Sequence, residues 1–260
     1  GAVGGGAEVL TPWVDSMAGK NGGVHQVHDG WKGLGLGSNG GGKNVIASFK
    51  KSMGDIEAGF ARADRVYEHT FTTGYAHPGY IELHGVLADV GGDGKVTVWT
   101  CTQSPYEVRD EVAEALGLPH TKVRIVPTEV GGGFGGKTRA VLEHLAGLLA
   151  MRSGQPVRME MSREEDHRAG SFRPPHTLTI RTGVMNDGTL VARDMDVTVD
   201  HGAHGKKASG QCSGKMEMAS CMYRIPNVRV KACTVYTNGP MTGPVRAPSC
   251  PEYHLATEVQ

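Results

Sequence analysis

Alternating apolar and polar residues predict six β-strands in this chain, four of them paired in two hairpins. The expected strands are Leu83–Val90, Lys95–Thr102, Lys122–Val126, His176–Val184, Thr189–Val199 and Asn227–Thr237. Alternation with a period of two residues places one face of a strand in a core and the other toward solvent. Gly91–Gly94 separates the first two strands, and Asn186–Gly188 separates the fourth and fifth. Glycine-rich and Asn-Asp-Gly turns between such strands are typical of β-hairpins.

Helical spacing of apolar residues, together with helix start and stop signals, predicts three helices. The first is expected at Ile56–Val66. The second is expected to begin at Pro105, because proline is favoured at the first helical position, and to end at Gly117. Ser104 and Glu107 have the spacing of a capping box at its start.

The third helix is expected from about Arg139 to Arg152, with Gly154 ending it. Its buried stripe is predicted to consist of Val141, Leu145, Leu148 and Leu149. Because hairpins and helices alternate along the chain, we expect an α+β fold with mixed sheets and packed helices.

A Gly-rich segment precedes the regularly patterned part of the chain. Residues 1–43 are nearly aperiodic, and we place a boundary at residue 53, so that 1–53 form a linker or the end of a preceding domain. The chain begins without Met and stops at Gln260 in a helix-like pattern with no cap. We therefore expect a fragment or a split subunit whose domain, 54–260, is incomplete at its C-terminus.

Composition excludes several classes of function. The 27 Lys and Arg residues balance 27 Asp and Glu residues, which gives no electrostatic reason to expect nucleic acid or an anionic membrane as a partner. No apolar run approaches the roughly 20 residues that span a bilayer. The five cysteines show no Cys-x-x-Cys spacing, so we expect reduced thiols in a cytoplasmic protein and no iron–sulfur or structural zinc site within this chain.

Residues Gly131–Thr138, Gly-Gly-Gly-Phe-Gly-Gly-Lys-Thr, carry the main functional signal. They fit the phosphate-binding P-loop pattern, in which backbone N–H groups and a Lys contact phosphates, and they lie between a predicted strand and a predicted helix. Glu129 counts against this interpretation, because it places a carboxylate where phosphates would bind. A purely structural turn is a third interpretation, although five glycines around one Phe exceed what a turn needs.

Several other motifs favour a different interpretation of the same loop. In chain order, these are Thr-Gln-Ser-Pro at 102–105, Gly-Gly-Gly-Phe-Gly-Gly-Lys at 131–137, Ser-Arg-Glu-Glu-Asp at 162–166, Tyr-Arg-Ile-Pro-Asn at 223–227 and Gly-Pro-Val-Arg at 243–246. In this order and spacing they resemble the molybdenum hydroxylases, the xanthine dehydrogenase and aldehyde oxidase family. The resemblance covers residues 54–260 well and 1–53 poorly.

This resemblance implies a molybdopterin-binding domain of the xanthine dehydrogenase type. The implied cofactor is molybdenum–molybdopterin, with the cytosine dinucleotide form as one option. The implied reaction oxidises an aldehyde or an N-heteroaromatic substrate with water-derived oxygen and passes electrons to 2Fe-2S and FAD groups. Those groups would belong to partner domains or subunits, and the rest of the molybdenum subunit would be a further partner. The family's general-base Glu lies beyond Gln260, neither Glu82 nor Glu258 matches it, and the chain alone is therefore expected to be inactive.

The same resemblance assigns cofactor-binding residues. They are Gln103, Gly132, Gly133, Phe134, Gly135 and Arg246. Gln103 matches a residue whose side-chain amide donates to an oxo ligand of molybdenum, Phe134 matches one whose backbone N–H faces the metal, and Arg246 matches an Arg beside the cofactor. An amide donor, glycines that allow close backbone approach and a guanidinium fork all suit an anionic group.

Three further positions are implied to lie in the substrate pocket: Thr138, Lys215 and Pro248. Purine-oxidising members carry a Glu at the position of Thr138, an Arg next to Lys215 at Gly214, and a Phe at the position of Pro248. The loss of these contacts argues against xanthine as the substrate. Ala247 stands where carbon monoxide dehydrogenases require a copper-binding Cys, which argues against that activity.

Overall fold

The computed structural model describes residues 44–203, 216–220 and 222–260. The strands are β1 (Val45–Met53), β2 (Arg65–Thr72), β3 (Gly85–Val90), β4 (Val96–Thr100), β5 (Val123–Pro127), β6 (Val157–Glu160), β7 (His176–Val184), β8 (Leu190–Asp200) and β9 (Asn227–Val235). The helices are α1 (Ile56–Arg62), α2 (Pro105–Leu116), α3 (Glu143–Ser153), α4 (Arg163–Ala169), α5 (Met216–Ser220) and α6 (Cys250–Val259), with a 3₁₀ turn at His120–Lys122. These elements form two compact units.

The first unit is built on a five-stranded mixed sheet. Its described residues are 44–75, 174–203, 216–220, 222–242 and 247–260. The strand order is β1-β9-β8-β7-β2, in which β7 and β8 form an antiparallel hairpin and β8 pairs with β9 in parallel. Ile180, Met195 and Val230 are fully buried in its core, against Tyr253 and Ala256 of α6.

The second unit comprises residues 76–173 and 243–246 and carries a four-stranded sheet. The strand order is β5-β4-β3-β6, with β3 and β4 as an antiparallel hairpin. Strands β4 and β5 are parallel, so the chain needs a crossover between them, and α2 provides it. Its core contains Val96 and Val98 of β4 together with Ala146 and Ala150 of α3.

The observed architecture confirms the predicted α+β fold, both hairpins and the two single strands. Strands β1, β2 and β6 have no counterpart among the predicted strands. In β2 nearly every residue is exposed, so no alternation signals the strand, and its pairing with β7 creates it. Strand β1 lies within 1–53 and pairs with β9. The domain boundary at residue 53 stays a prediction.

Two helix boundaries differ from expectation. Helix α1 ends at Arg62 instead of Val66, because Ala63 is already extended and Arg65 starts the pairing of β2 with β7. Helix α2 begins at Pro105 as expected, and Gly117 terminates it as a left-handed C-cap after Leu116. Ser104 makes no side-chain capping hydrogen bond, so the predicted capping box was wrong. A capping box does form at α4, between Ser162 and Glu165.

The structure corrects both the start and the buried face predicted for the third helix, α3. The helix starts at Glu143 instead of about Arg139, and Leu145, Leu148 and Leu149 are 44%, 42% and 48% exposed. The face toward the sheet instead contains Ala146, Gly147 and Ala150. A Cβ on Gly147 would meet Leu116 Cδ1 at 3.1 Å, so the helix lies too close to its neighbours for large side chains. Because both faces of α3 are apolar, the sequence pattern alone selects the wrong one.

This packing predicts that two substitutions on α3 differ in their effect on stability. Ala146→Leu adds volume to a filled core and is expected to lower the free energy of unfolding by about 1–3 kcal/mol. Leu148→Gln changes an exposed side chain and is expected to stay within about 0.5 kcal/mol of the parent. Urea denaturation of the 260-residue chain measures both. A larger loss for Leu148→Gln than for Ala146→Leu would reverse the assignment of the buried face.

No helix in the described part of the chain is long and apolar enough to cross a membrane.

Candidate functional site

Residues Gly131–Thr138, called the glycine loop here, connect β5 to α3 in the second unit. Their backbone is strongly contorted, with φ of 97° at Gly132, 50° at Phe134 and 98° at Gly135, and Gly136 N–H donates to the Gly133 carbonyl at 2.8 Å. The Phe134 side chain is 45% exposed. Non-glycine residues with positive φ concentrate at functional sites because the surrounding structure must hold the strain. Phe134, Ala247 and Ser249 are the three in the described part of the chain.

The loop glycines are required by close neighbours on several sides. A Cβ on Gly133 would overlap the side-chain amide oxygen of Gln103, and a Cβ on Gly135 would overlap the backbone carbonyl of Pro244. At Gly136, a Cβ would meet Tyr80 Cε1 at 2.7 Å. These contacts distinguish the loop from a simple turn, where open space surrounds the glycines.

Gln103 is locked onto the loop through its backbone and side chain. Its backbone N–H donates to the Lys137 carbonyl at 2.8 Å, and its Oε1 accepts from the N–H groups of Gly135 (3.0 Å) and Lys137 (3.3 Å). Since Oε1 faces two donors, the amide orientation is fixed and Nε2 is left as a donor. Nε2 belongs to an exposed side chain and has no hydrogen-bond partner among residues 44–203, 216–220 and 222–260.

The segment 243–246 lies against the same loop in the second unit. Arg246 N–H donates to the Phe134 carbonyl at 2.9 Å, and the Arg246 carbonyl accepts from Arg173 at 2.6 Å. The backbone of Arg246 is therefore held from both sides. Its side chain is exposed and forms no ion pair with the described residues. The structure thus brings together Gln103, Phe134 and Arg246, which lie far apart in the sequence.

Lys137 does not have the environment of a phosphate-binding lysine. Its side chain is 1% exposed, its Nζ lies 2.6 Å from Glu82 Oε2, and the Tyr80 ring centroid is 4.9 Å from Nζ. The helix that should start at a P-loop lysine begins only at Glu143. A buried ammonium already paired with a carboxylate cannot serve phosphates, so the P-loop interpretation finds no support here.

Glu82 is the ion-pair partner of Lys137, and the sequence did not reveal this pairing. Its Oε2 accepts from Gly131 N–H at 2.7 Å as well as from Lys137, and its own N–H donates to the Gly131 carbonyl at 3.2 Å. Burial by itself raises the pKa of Glu82, but the hydrogen bonds from Lys137 and Gly131 and the charge of Lys137 outweigh it and lower the pKa overall. A buried Lys implies a nearby carboxylate, yet nothing in the sequence indicates which one.

The Tyr80 ring packs against the glycine loop, and hydrogen bonds hold Tyr80 itself in place. Its hydroxyl donates to Asp166 Oδ1 at 3.0 Å, and His84 Nδ1 lies 2.7 Å from the same oxygen. Asp166 is completely buried. Burial, followed by the charge of Asp166, raises the pKa of Tyr80 well above its usual value, so the hydroxyl stays protonated and donates. The buried Asp166 links Tyr80 to α4, which fixes the ring that packs against Gly132 and Gly136.

The structure describes two of the three residues predicted to lie in the substrate pocket. Thr138 Oγ1 donates to the Gly135 carbonyl at 3.0 Å, so its hydroxyl closes the glycine loop. Lys215 lies outside the described residues. Pro248 is an exposed residue of the first unit, between Ala247 and Ser249, whose φ values are 57° and 63°. The Ser249 hydroxyl is buried and has no hydrogen-bond partner in the described part of the chain.

These observations suit an anionic, oxygen-rich group better than a metal bound directly by the protein. The described residues contain no cluster of three or more His, Cys, Asp or Glu side chains that could ligate a metal, and Cys101, Cys233 and Cys250 form no disulfide bond. The site instead offers hydrogen-bond donors: the Gln103 amide, the Arg246 guanidinium and the backbone of the glycine loop. Such donors match oxo and phosphate groups.

Comparison with known protein families assigns the chain. The sequence profile of the molybdopterin cofactor-binding domain matches residues 39–260. A probable xanthine dehydrogenase subunit of Bacillus subtilis is 36% identical over 203 residues, which cover 78% of this chain and 27% of the relative. The nicotinate dehydrogenase large molybdopterin subunit of Eubacterium barkeri is 36% identical over 214 residues, covering 80% of this chain and 49% of the relative. The chain thus spans about half or less of the length of these relatives.

A solved structure shares the fold. The aldehyde oxidoreductase of Desulfovibrio gigas superposes with a TM-score of 0.76 at 25% identity, over 89% of this chain and 25% of that protein.

Proposed function

The chain belongs to the molybdopterin cofactor-binding domain family, and we propose that it forms the cofactor-binding part of a molybdenum-dependent oxidoreductase. The observation that carries this proposal is the arrangement of Gln103 on the glycine loop. Two N–H groups of the loop bind the Gln103 side-chain oxygen and leave the side-chain NH₂ exposed, next to the strained backbone of Phe134. An exposed neutral donor on a rigid support suits an oxo group, because it polarises oxygen without titrating.

Three elements would hold the cofactor. Gln103 Nε2 would donate to an oxo ligand, Phe134 would present its backbone N–H, and Arg246 would contribute the charge that an anionic pterin phosphate requires. Gly132, Gly133 and Gly135 would let the cofactor approach the main chain. When bound, the molybdenum–molybdopterin group supplies two-electron redox chemistry and oxygen transfer to a substrate carbon. The role of this chain is to bind the group, orient it and keep a hydrogen-bond donor on its oxo side.

The substrate class we propose is an aldehyde or an N-heteroaromatic compound, oxidised with water-derived oxygen. Thr138, Lys215 and Pro248 remain the proposed pocket residues. Thr138 offers a small hydroxyl that already donates within the loop, which leaves little capacity for binding a purine. The cytosine dinucleotide form of the pterin also stays a proposal.

We further propose that the active assembly contains the rest of the molybdenum subunit and partners that carry 2Fe-2S and FAD groups. The general-base Glu would come from outside this chain, since neither Glu82 nor Glu258 matches the family's position for it, and both are engaged elsewhere. Glu82 binds Lys137, and Glu258 accepts from the Tyr223 hydroxyl at 2.8 Å. The exposed leucines of α3 support further packing partners, because contiguous apolar surface often marks an interaction site.

The molybdenum and pterin content of the native assembly, purified with the chains that accompany this one, tests the proposal. We expect about one molybdenum per chain, as one glycine loop would hold one cofactor. Absence of molybdenum from an assembly isolated from cells that make the cofactor would reduce the assignment to a shared fold. Screening with aldehydes and heteroaromatic compounds then identifies the substrate class.

A further inference from the structure

We propose that Glu82 is a positioning residue for the cofactor, because one of its carboxylate oxygens holds both ends of the glycine loop. The inference rests on the proposed function of that loop. Glu82, which lies outside the loop, would fix the loop's geometry. Glu82 would not contact the cofactor. It would act through Lys137 and Gln103.

The first step is the closure of the loop. Glu82 Oε2 accepts from Gly131 N–H at 2.7 Å and lies 2.6 Å from Lys137 Nζ, so it bridges the first glycine of the loop and the lysine that follows the last one. Pairing of Glu82 N–H with the Gly131 carbonyl at 3.2 Å fixes the start a second time. A glycine-rich segment has high conformational entropy, and two fixed ends restrict the backbone between them.

The second step transmits this restraint to the amide donor. The Lys137 backbone carbonyl accepts from Gln103 N–H at 2.8 Å and from the Thr102 hydroxyl at 3.1 Å, and Lys137 N–H donates to Gln103 Oε1 at 3.3 Å. The position of Lys137 therefore sets the position and orientation of the Gln103 amide. Glu82 is the only charged partner of Lys137 among the described residues.

The third step is energetic and makes the pair asymmetric. Lys137 is 1% exposed, whereas the Glu82 side chain is 36% exposed. Loss of the carboxylate leaves a buried ammonium without a counter-charge, which is strongly destabilising, while loss of the ammonium leaves a carboxylate that water can reach. Replacing both charges together removes the buried-charge penalty, yet it still cuts the tie between residues 82 and 137.

This asymmetry separates positioning from stability in a set of three variants. Glu82→Gln keeps the shape and a hydrogen-bond acceptor but removes the charge. Lys137→Met removes the ammonium. The double variant Glu82→Gln/Lys137→Met is expected to recover most of the thermal stability lost by Glu82→Gln. Asp194→Asn is the matched control, since Asp194 forms a partly buried ion pair with Arg229 at 2.5 Å in the first unit, whereas the loop belongs to the second.

The variants are compared in the native assembly by three measurements: molybdenum retained per chain, turnover per bound molybdenum, and the electron paramagnetic resonance spectrum of reduced molybdenum. Amide exchange over residues 131–137 adds a readout that needs no cofactor. In Glu82→Gln and in the double variant we expect faster exchange, an altered spectrum and a roughly 10–100-fold loss in retention or in turnover per molybdenum. Asp194→Asn should lower only the melting temperature.

Two outcomes would contradict either the positioning role of Glu82 or the proposed function, and the measurements distinguish them. If Glu82→Gln and the double variant melt earlier but keep the parental spectrum, exchange rates and turnover per molybdenum, the pair is merely structural. If the parent assembly itself holds no molybdenum, the proposed function fails, and exchange in the loop still decides whether Glu82 restrains it.

Discussion

Gly135→Ala is expected to abolish cofactor binding and to destabilise the second unit. Gly135 has φ of 98°, and an added Cβ would overlap the backbone carbonyl of Pro244, which cannot rotate away as a side chain would. Strained φ and overpacking each cost about 1–3 kcal/mol, so we expect a total loss of about 2–6 kcal/mol. Urea denaturation measures the loss in stability, and the molybdenum content of the native assembly should fall to background.

Two other glycines separate the causes of this effect. Gly79 also has positive φ, 72°, but no atom lies within 4 Å of an added Cβ, so Gly79→Ala reports the cost of backbone strain alone. Gly92 has the same open surroundings without a positive φ, so Gly92→Ala should be nearly neutral. A loss for Gly135→Ala no larger than that for Gly79→Ala would mean that segment 243–246 does not press on the loop.

Gln103→Glu is expected to keep the loop folded while lowering turnover by about 10²–10³-fold. A carboxylate can still accept from Gly135 N–H and Lys137 N–H, but at neutral pH it is ionised and has no hydrogen to donate. The substitution therefore removes the exposed donor and also places a negative charge beside the proposed anionic group, and both changes are expected to lower turnover. Steady-state turnover per bound molybdenum, together with the melting temperature of the assembly, measures the two effects separately.

Gln103→Ala provides the comparison, because it removes the acceptor as well as the donor. It should also lower turnover, and it should weaken the loop by leaving two backbone N–H groups without their acceptor, at a cost of about 1–3 kcal/mol unless water replaces it. Unchanged turnover in Gln103→Glu would show that the exposed amide does not participate, and the proposed role of Gln103 would be wrong.

The hydrophobic pattern was informative wherever one face of an element is buried and the other is not. Strands β3 and β4 alternate in this way, whereas β7 and β8 contain runs of consecutive buried residues. The turns of both hairpins carry glycine, and all four strands alternate in sequence, so both hairpins were predicted. For helix α3 the same pattern predicted the wrong buried face, because both of its faces are apolar. The choice between them was made by the narrow space beside Leu116 and Val96, which accepts Gly147 but no large side chain.

The sequence by itself determined the α+β class, the position of the glycine loop and, through motifs in a fixed order, the molybdopterin-binding family. These properties depend on local periodicity and on residues close together in the chain. Tertiary structure alone decided that Lys137 is buried against Glu82, that Gln103 Oε1 faces the loop and that Arg246 adjoins Phe134. Such partners are tens of residues or more apart, and each residue type could pair with many others. Only the packing of the second unit selects one partner and converts a glycine-rich segment into a loop of defined shape.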